Sequence, residues 1–355
     1  MSDVYSLIPD RIRIKLGSKS KVCLVNGNEL FRRMRGERFM IMACNTRIKH
    51  AIPGIMKAAQ ELDALVAFEL AMSEGHVDGG YTGMSPQVYF NTVVDYAERT
   101  GFTKPFIIHG DHITIKDASD KAIDKGRTLI DAELEAGYTS FAIDASFNHI
   151  PDNIRITTQL AKKIVDAGLG LEVEVGEIKS VGSQGEITTV AEAQEFIDTL
   201  TSRGIRPNLL AINNGSKHGN YLPGEEVHID LERTKDVHTA ISKHGVDIAQ
   251  HGITGTPLHL MHKFVDCGIK KGNVGTLWQN IAHEHLPKDL MDRMAKWAKD
   301  NGKNIKEATK PFKQEIDSIP DSYRLAIEDH AYREAKEFFD AFQAVGSASK
   351  LASKI

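Results

Sequence analysis

Short apolar runs rich in β-branched residues alternate along most of this chain with longer stretches of helical periodicity. Eight of the short runs have the character of buried strands: "FMIMACN" (39–45), "LVAFELAM" (65–72), "FIIHGDH" (106–112), "SFAIDAS" (140–146), "LEVEVGE" (171–177), "LLAINNG" (209–215), "VDIAQHG" (246–252) and "IKKGNVGT" (269–276). Between them, segments such as 118–137 and 151–168 carry apolar residues at helical spacing, and each closes on a glycine suited to a left-handed cap. Eight strand-then-helix units predict an α/β fold, the TIM (β/α)8 barrel, in which a parallel sheet closes on itself. The competing architecture is an open doubly wound sheet. It is disfavoured because no G-x-G-x-x-G follows the first strand and no break in strand order is visible.

Length fits one large domain over residues 1–355, since barrels routinely reach this size as a single unit. Within it, residues 1–38 form a mixed N-terminal prelude expected to pack on or across the barrel floor. Residues 39–277 form the barrel core, and residues 278–355 a charged, helical C-terminal region of the kind that makes solvated helices or subunit contacts. No internal repeat or low-complexity tract interrupts the pattern. The glycine-rich segment "SEGHVDGGYTG" (73–83) reads equally as a lid over a site and as a plain surface loop.

Composition narrows the function classes. A formal net charge of -4 and a pI near 6.4 offer no clustered excess of Lys and Arg, so nucleic acid is not expected as a partner. No stretch approaches the apolar length of a membrane span, and the first residues lack the apolar core of a secretory signal, so a cytoplasmic location is expected. Cys23, Cys44 and Cys267 are too widely spaced for a disulfide framework or a Cys-x-x-Cys zinc site and read as small apolar residues.

In a barrel of this kind the chemistry collects at the carboxyl ends of the strands. Five of the eight runs end in polar groups there: Asp111 and His112, Asp144 and Ser146, Glu172 and Glu174, a segment leading to His218, and His251. One such histidine is usually a satisfied hydrogen-bonding residue. Three imidazoles and a carboxylate from separate strands are instead a ligand set that suits Zn²⁺ with an open position for substrate. On this reading Asp111, beside the ligand His112, serves as an acid or base. Strand alternation puts His109 on the same face as Asp111, so His109 is an alternative ligand to His112 unless a turn begins at Asp111. His76, Asp78, His259 and His262 read as structural or solvent-facing. The turns "HGITGT" (251–256) and "GNVGT" (272–276) follow strands seven and eight, where barrels hold phosphate on backbone amides. There Gly252, Gly255 and Gly275 permit close approach, and Thr254 and Thr276 add hydroxyls.

These residues resemble the class II, metal-dependent ketose-bisphosphate aldolases, typified by fructose-bisphosphate aldolase. The likeness runs in order from about residue 39 to the end: "ACN" ending at Asn45, "IIHGDH", "AIDAS", "EVEVG", "NNGSKHGNY", "QHG", "GNVGT" and the tail "FQAVGSASKL". The resemblance implies that His112, His218 and His251 hold a catalytic Zn²⁺ or another divalent transition metal. It implies that Asp111 handles the aldehyde oxygen, and that Glu174 with Asp144 matches a second or alternative site for a metal ion or monovalent cation. Asn45, Gly219, Gly252, Thr254, Asn273, Gly275 and Thr276 would contact substrate and phosphate. The implied activity is reversible cleavage of a ketose phosphate, with fructose 1,6-bisphosphate giving dihydroxyacetone phosphate and glyceraldehyde 3-phosphate through an enediolate that the metal stabilises. Members usually form dimers or tetramers, so a homodimer or homotetramer is expected.

Several departures fall on the substrate side. Ala71 stands where a serine is expected, "GITG" replaces Gly-Gly-Ser-Gly, and Lys217 precedes His218. A tagatose-type or otherwise modified ketose phosphate is therefore an alternative substrate, and a sugar-phosphate-binding barrel without turnover an alternative function. The proton-moving glutamate of the family corresponds to Glu177 or Glu186, and the arginine for the distal phosphate to Arg324 or Arg333. A Schiff-base aldolase built on Lys217, Lys270 or Lys271 would leave three histidines unexplained.

Overall fold

The structure, a computed structural model, describes residues 4–176, 187–217, 219 and 228–355. Eight parallel strands close into a barrel in sequence order. They are β1 (Ile41–Asn45), β2 (Val66–Ala71), β3 (Phe106–Thr114), β4 (Ser140–Asp144), β5 (Gly170–Val175), β6 (Leu209–Ile212), β7 (Asp247–Gln250) and β8 (Ile269–Val274). All eight predicted runs are strands, but most are shorter than the apolar pattern, because the polar residues at their ends leave the ladder to face the barrel mouth.

Helices follow the strands, and two of them show how far their ends are legible in the chain. The helix Asp120–Ala136 starts where Ser119 accepts the backbone N–H of Ala122 at 3.2 Å, and it ends at Gly137 with φ 119°. The helix Ile150–Asp166 stops one residue earlier than its glycine, with Ala167 still right-handed and Gly168 turning at φ 65°.

β3 is the exception to shortening. It continues to Thr114 through a register shift against β4 between Gly110 and Ile113, and His112 adopts φ 40°. This bulge, rather than a turn beginning at Asp111, breaks the alternation, so Asp111 and His112 both face the mouth.

The floor is closed by the N-terminal segment. Leu24 forms a parallel bridge to Phe106 at the start of β3, Gly27 N–H donates to the Thr139 carbonyl at 3.0 Å, and Asn26 Nδ2 reaches the Gly168 carbonyl at 2.9 Å. At the other end of the sequence, the long helix Asp321–Ala341 lies against the helix Ile52–Glu61. Gly54 makes this possible, since a Cβ there would sit 2.1 Å from the Glu328 carbonyl oxygen. No helix among the described residues is long and apolar enough to cross a membrane. Cys23, Cys44 and Cys267 are all buried.

Candidate active site

The mouth of the barrel opens into a cavity of about 1040 Å³. Asn45, Gly219, Gly252, Thr254, Asn273, Gly275 and Thr276, singled out for substrate contact, all line it, as do Asp111, His112, Asp144 and Glu174. His251 is buried beneath, with its ring 4.3 Å from that of His112 and perpendicular to it. His218, Glu177 and Glu186 lie outside the described residues.

Asp111 is held from both sides. Asn45 Nδ2 donates to its Oδ2 at 2.9 Å, and Asn273 Nδ2 to its Oδ1 at 2.9 Å. Burial alone would raise its pKa, but the surrounding His112, Lys271 and His251 hold the carboxyl well below the usual carboxylate range. The Asn273 Oδ1 is buried and accepts from no described residue, which leaves an acceptor beside Asp111 for a hydroxyl.

The imidazoles of His112 and His251 aim nitrogens at each other, His251 Nδ1 lying 2.6 Å from His112 Nε2. The tautomer of His251 is set from behind: its Nε2–H donates to Glu172 Oε1 at 2.8 Å, leaving Nδ1 as the lone pair. Across the site His112 Nδ1 stands 3.4 Å from both Asp144 Oδ2 and Glu174 Oε2. Burial opposes charging of His112, yet the carboxylates of Glu174, Asp111 and Asp144 hold its pKa well above the usual value. Burial, with the neighbouring Asp144 carboxylate, pushes Glu174 well above the carboxylate range. The pocket thus carries more negative charge than its imidazoles offset. Ligand atoms of Asp111, His112 and His251 lie within 4.8 Å of one another, and so do those of His112, Asp144 and Glu174. A cation between the facing imidazoles would replace the shared proton and neutralise the same carboxylates, so the donor set fits a divalent metal.

His109 faces the barrel interior below this level. Both ring nitrogens are buried without a hydrogen-bond partner, and burial and Lys271 lower its pKa to about 3, so it is neutral. His112, not His109, reaches the facing imidazole. His259 and His262 are exposed on a helix, and His76 stays near Asp78, 3.6 Å away. Arg324 and Arg333 lie outside the cavity, each paired with an aspartate of its own helix.

Two features were not legible in the pattern. The first is a charged layer under the site. Lys271 is fully buried and its Nζ is shared by Glu172 Oε2 at 2.8 Å and Glu69 Oε2 at 3.2 Å. The neighbouring positions Ala249 and Ala142, paired with Lys271 and Glu172, supply the room. One ammonium serves two carboxylates: burial raises Glu69 well above its usual range, while Lys271 and His251 hold Glu172 low. The only visible signal was charge inside an apolar run, "FEL" and "IKKG". Lys271 is held above its ordinary value by its two partners, which removes it as a Schiff-base nucleophile. Lys270, lowered to about 8 by burial, points instead at the backbone carbonyls of Glu37 and Phe39, away from the cavity. Lys271→Met strands two buried carboxylates, and an unfolding free energy lower by about 3–5 kcal/mol is expected in urea titration. A change below about 1 kcal/mol would show the network to be energetically idle.

The second feature is Glu74, from the short helix Met72–Gly75 after β2. It accepts from Asn45 Nδ2 at 3.2 Å, Ala71 N–H at 3.0 Å, Arg47 Nε at 2.6 Å and Tyr81 OH at 3.1 Å. These bonds pin residues 73–83 to the mouth and fix Asn45 for its contact with Asp111.

The family profile described as "Fructose-bisphosphate aldolase class-II" matches residues 25–326. The chain belongs to this family. Class II fructose-bisphosphate aldolases are lyases, and this chain is an enzyme of that class. Among its relatives is a protein named fructose-bisphosphate aldolase from Streptococcus pneumoniae, 26% identical over 259 residues that cover 72% of this chain and 80% of that one. Among solved structures, the YdjI aldolase from Escherichia coli K12 superposes with a TM-score of 0.64 at 20% identity, covering 90% of this chain and 98% of the other. The fructose-bisphosphate aldolase of Campylobacter jejuni gives 0.66 at 17% identity, covering 92% and 97%. At that identity the two structures establish a shared fold. The class II family match is what makes the metal-ready geometry at the mouth of this aldolase interpretable.

Proposed function

We propose that the enzyme reversibly cleaves a ketose phosphate, fructose 1,6-bisphosphate before others, with Zn²⁺ as its resident cation. The observation that carries this reading is Asp111, ionised and clamped between Asn45 and Asn273, beside two imidazoles whose nitrogens converge. His112 and His251, with His218, would hold the ion, and Glu174 with Asp144 would offer a second or alternative position. Such an ion supplies a Lewis acid for the ketose carbonyl, which draws electrons from the adjoining C–C bond.

The protein's own groups hold the substrate and move its protons; the one that completes the ketone fragment would come from Glu177 or Glu186, which lie outside the described residues. The Asp111 carboxylate takes the proton from the hydroxyl whose carbon becomes the aldehyde, and Asn45 and Asn273 keep both of its oxygens oriented for that transfer. Asn273 Oδ1, otherwise without a donor, orients a neighbouring substrate hydroxyl. A phosphate fits at the turns after β7 and β8: Gly252 and Gly255 turn with φ 68° and 89°, and Thr276, which opens the helix Thr276–His285, lines the cavity beside Gly275. Glu172 and Lys271 hold His251 in the tautomer that faces His112.

The test is a cleavage screen of ketose mono- and bisphosphates, with metal analysis of the same preparation. Release of dihydroxyacetone phosphate from fructose 1,6-bisphosphate by protein carrying about one zinc per chain is expected. Preference for a tagatose-type sugar would move the substrate, and binding without cleavage of any ketose phosphate would end the aldolase reading for this chain.

A further inference from the structure

Behind β8 two helices of the C-terminal region lie against each other in antiparallel fashion. The rings of Trp278, near the start of the helix Thr276–His285, and Phe338, in the helix Asp321–Ala341, are 6.4 Å apart; at the other end of the contact those of His285 and His330 are 5.1 Å apart. His283 and His285 are separated by about 200° around their helix and face opposite ways. His283 lines the cavity, and His285 turns to the C-terminal helix.

There His285 Nε2 stands 2.9 Å from His330 Nδ1, with the ring planes at 78°. Glu284 Oε2 lies 3.8 Å from the same His330 Nδ1, and ligand atoms of the three residues are all within 4.8 Å of one another. On the far side of the ring His330 Nε2 faces Glu334 Oε1 at 3.8 Å, one helical turn on. Neither glutamate pairs with a lysine or arginine among the described residues, and Arg333, next to Glu334 in the chain, is engaged by Asp329 at 3.4 Å.

Two ring nitrogens at this distance share one proton, which leaves the imidazole pair neutral between two carboxylates. His285 also closes its helix, where the last carbonyls add negative potential. A divalent cation would offset all of this at once. Zn–N bonds of about 2.0 Å at a tetrahedral angle hold two nitrogens about 3.3 Å apart, so the rings need only a small parting, and both side chains are half-buried with room to move. Glu334 stands where an outer carboxylate orients a metal-bound histidine from behind. Imidazole with carboxylate favours Zn²⁺ over Mg²⁺ or Ca²⁺.

We propose that His285, His330 and Glu284 form a binding site for a divalent transition metal of the Zn²⁺ type, separate from the barrel mouth, which fastens the C-terminal helix to the helix after β8. His285 is absent from the cavity lining and lies roughly 13 Å along the helix axis from Thr276, so the ion takes no part in chemistry at the mouth. Three protein ligands leave one position to water, and exposure keeps the affinity below that of a closed structural site.

The test counts Zn²⁺ by calorimetry on dialysed protein, in the unaltered chain and in His330→Ala. One ion fewer per chain in His330→Ala is expected, or an affinity at that site weaker by at least about tenfold, with turnover at saturating Zn²⁺ unchanged. His285→Ala should repeat the loss from the other helix, while His262→Ala, outside the cluster, should keep both count and affinity. Added Zn²⁺ should also raise the thermal midpoint of the unaltered chain more than that of His330→Ala, because an ion bound only by folded protein stabilises it by mass action. Equal counts and affinities in the unaltered chain and in both His330→Ala and His285→Ala overturn the proposal, as does loss of the ion in His262→Ala instead. All these chains share the same mouth, so the difference between them stands whether or not the mouth holds metal or cleaves a sugar.

Discussion

Stripping divalent cations from the protein is expected to reduce ketose phosphate cleavage to background, with Zn²⁺ restoring it, and His251→Ala is expected to be beyond rescue at stoichiometric metal. The argument starts from charge. His112 and His251 aim nitrogens at each other 2.6 Å apart, and Asp111, Asp144 and Glu174 surround them in a buried pocket. Without a cation, the only means of offsetting that charge is to protonate His112 or a carboxylate, and no Lewis acid remains for the carbonyl. Such an ion contributes several kcal/mol to the transition state, so a loss of at least about a thousandfold in kcat is expected. In His251→Ala the fold should survive, because Lys271 still neutralises Glu172 at 2.8 Å. Metal content and turnover, measured on the same dialysed sample, read the result. Full activity in metal-free protein, or borohydride trapping of substrate on a lysine, would refute the metal reading.

Asp111→Asn is expected to lower kcat by about 10²–10⁴-fold while metal content is retained. The substitution preserves volume but exchanges an acceptor-only carboxylate for an amide. Its NH2 would then oppose the Nδ2 donors of Asn45 or Asn273, which now reach the carboxylate at 2.9 Å each. One of these asparagines must turn away, and no base remains at the hydroxyl. Because binding of the phosphate does not depend on Asp111, KM should change little. Steady-state kinetics with metal analysis decides it, and a variant that cleaves at the normal rate removes Asp111 from the proton transfer.

The strand-end positions were legible because parallel barrel strands are buried on both sides, so a polar residue closing an apolar run stands out. That is how Asp111, Asp144, Glu174 and His251 came into view before any contact was known. Lys271 and Glu69 also put charge inside apolar runs, yet their partnership could not be read, because the two lie some two hundred positions apart. Glu74 and Arg47 sat in polar loop sequence, where charge is ordinary. Their importance lies in burial, with side-chain exposures of 4% and 13%.

By itself, then, the chain determined the number and order of the strands, the helix end at Gly137, and the polar strand ends Asp111, Asp144, Glu174 and His251, all of which follow from local periodicity and turn chemistry. Tertiary structure alone decided which histidine reaches the site. Strand alternation favours His109 with Asp111, and a bulge against β4 delivers His112 instead. It also decided the tautomer of His251, the sharing of one buried ammonium by two glutamates, and the close approach of Arg47 to Gly275. The physical reason is the same in each case: hydrogen bonds and charges act over a few ångströms in space, and closing the barrel, not the spacing along the chain, sets those distances.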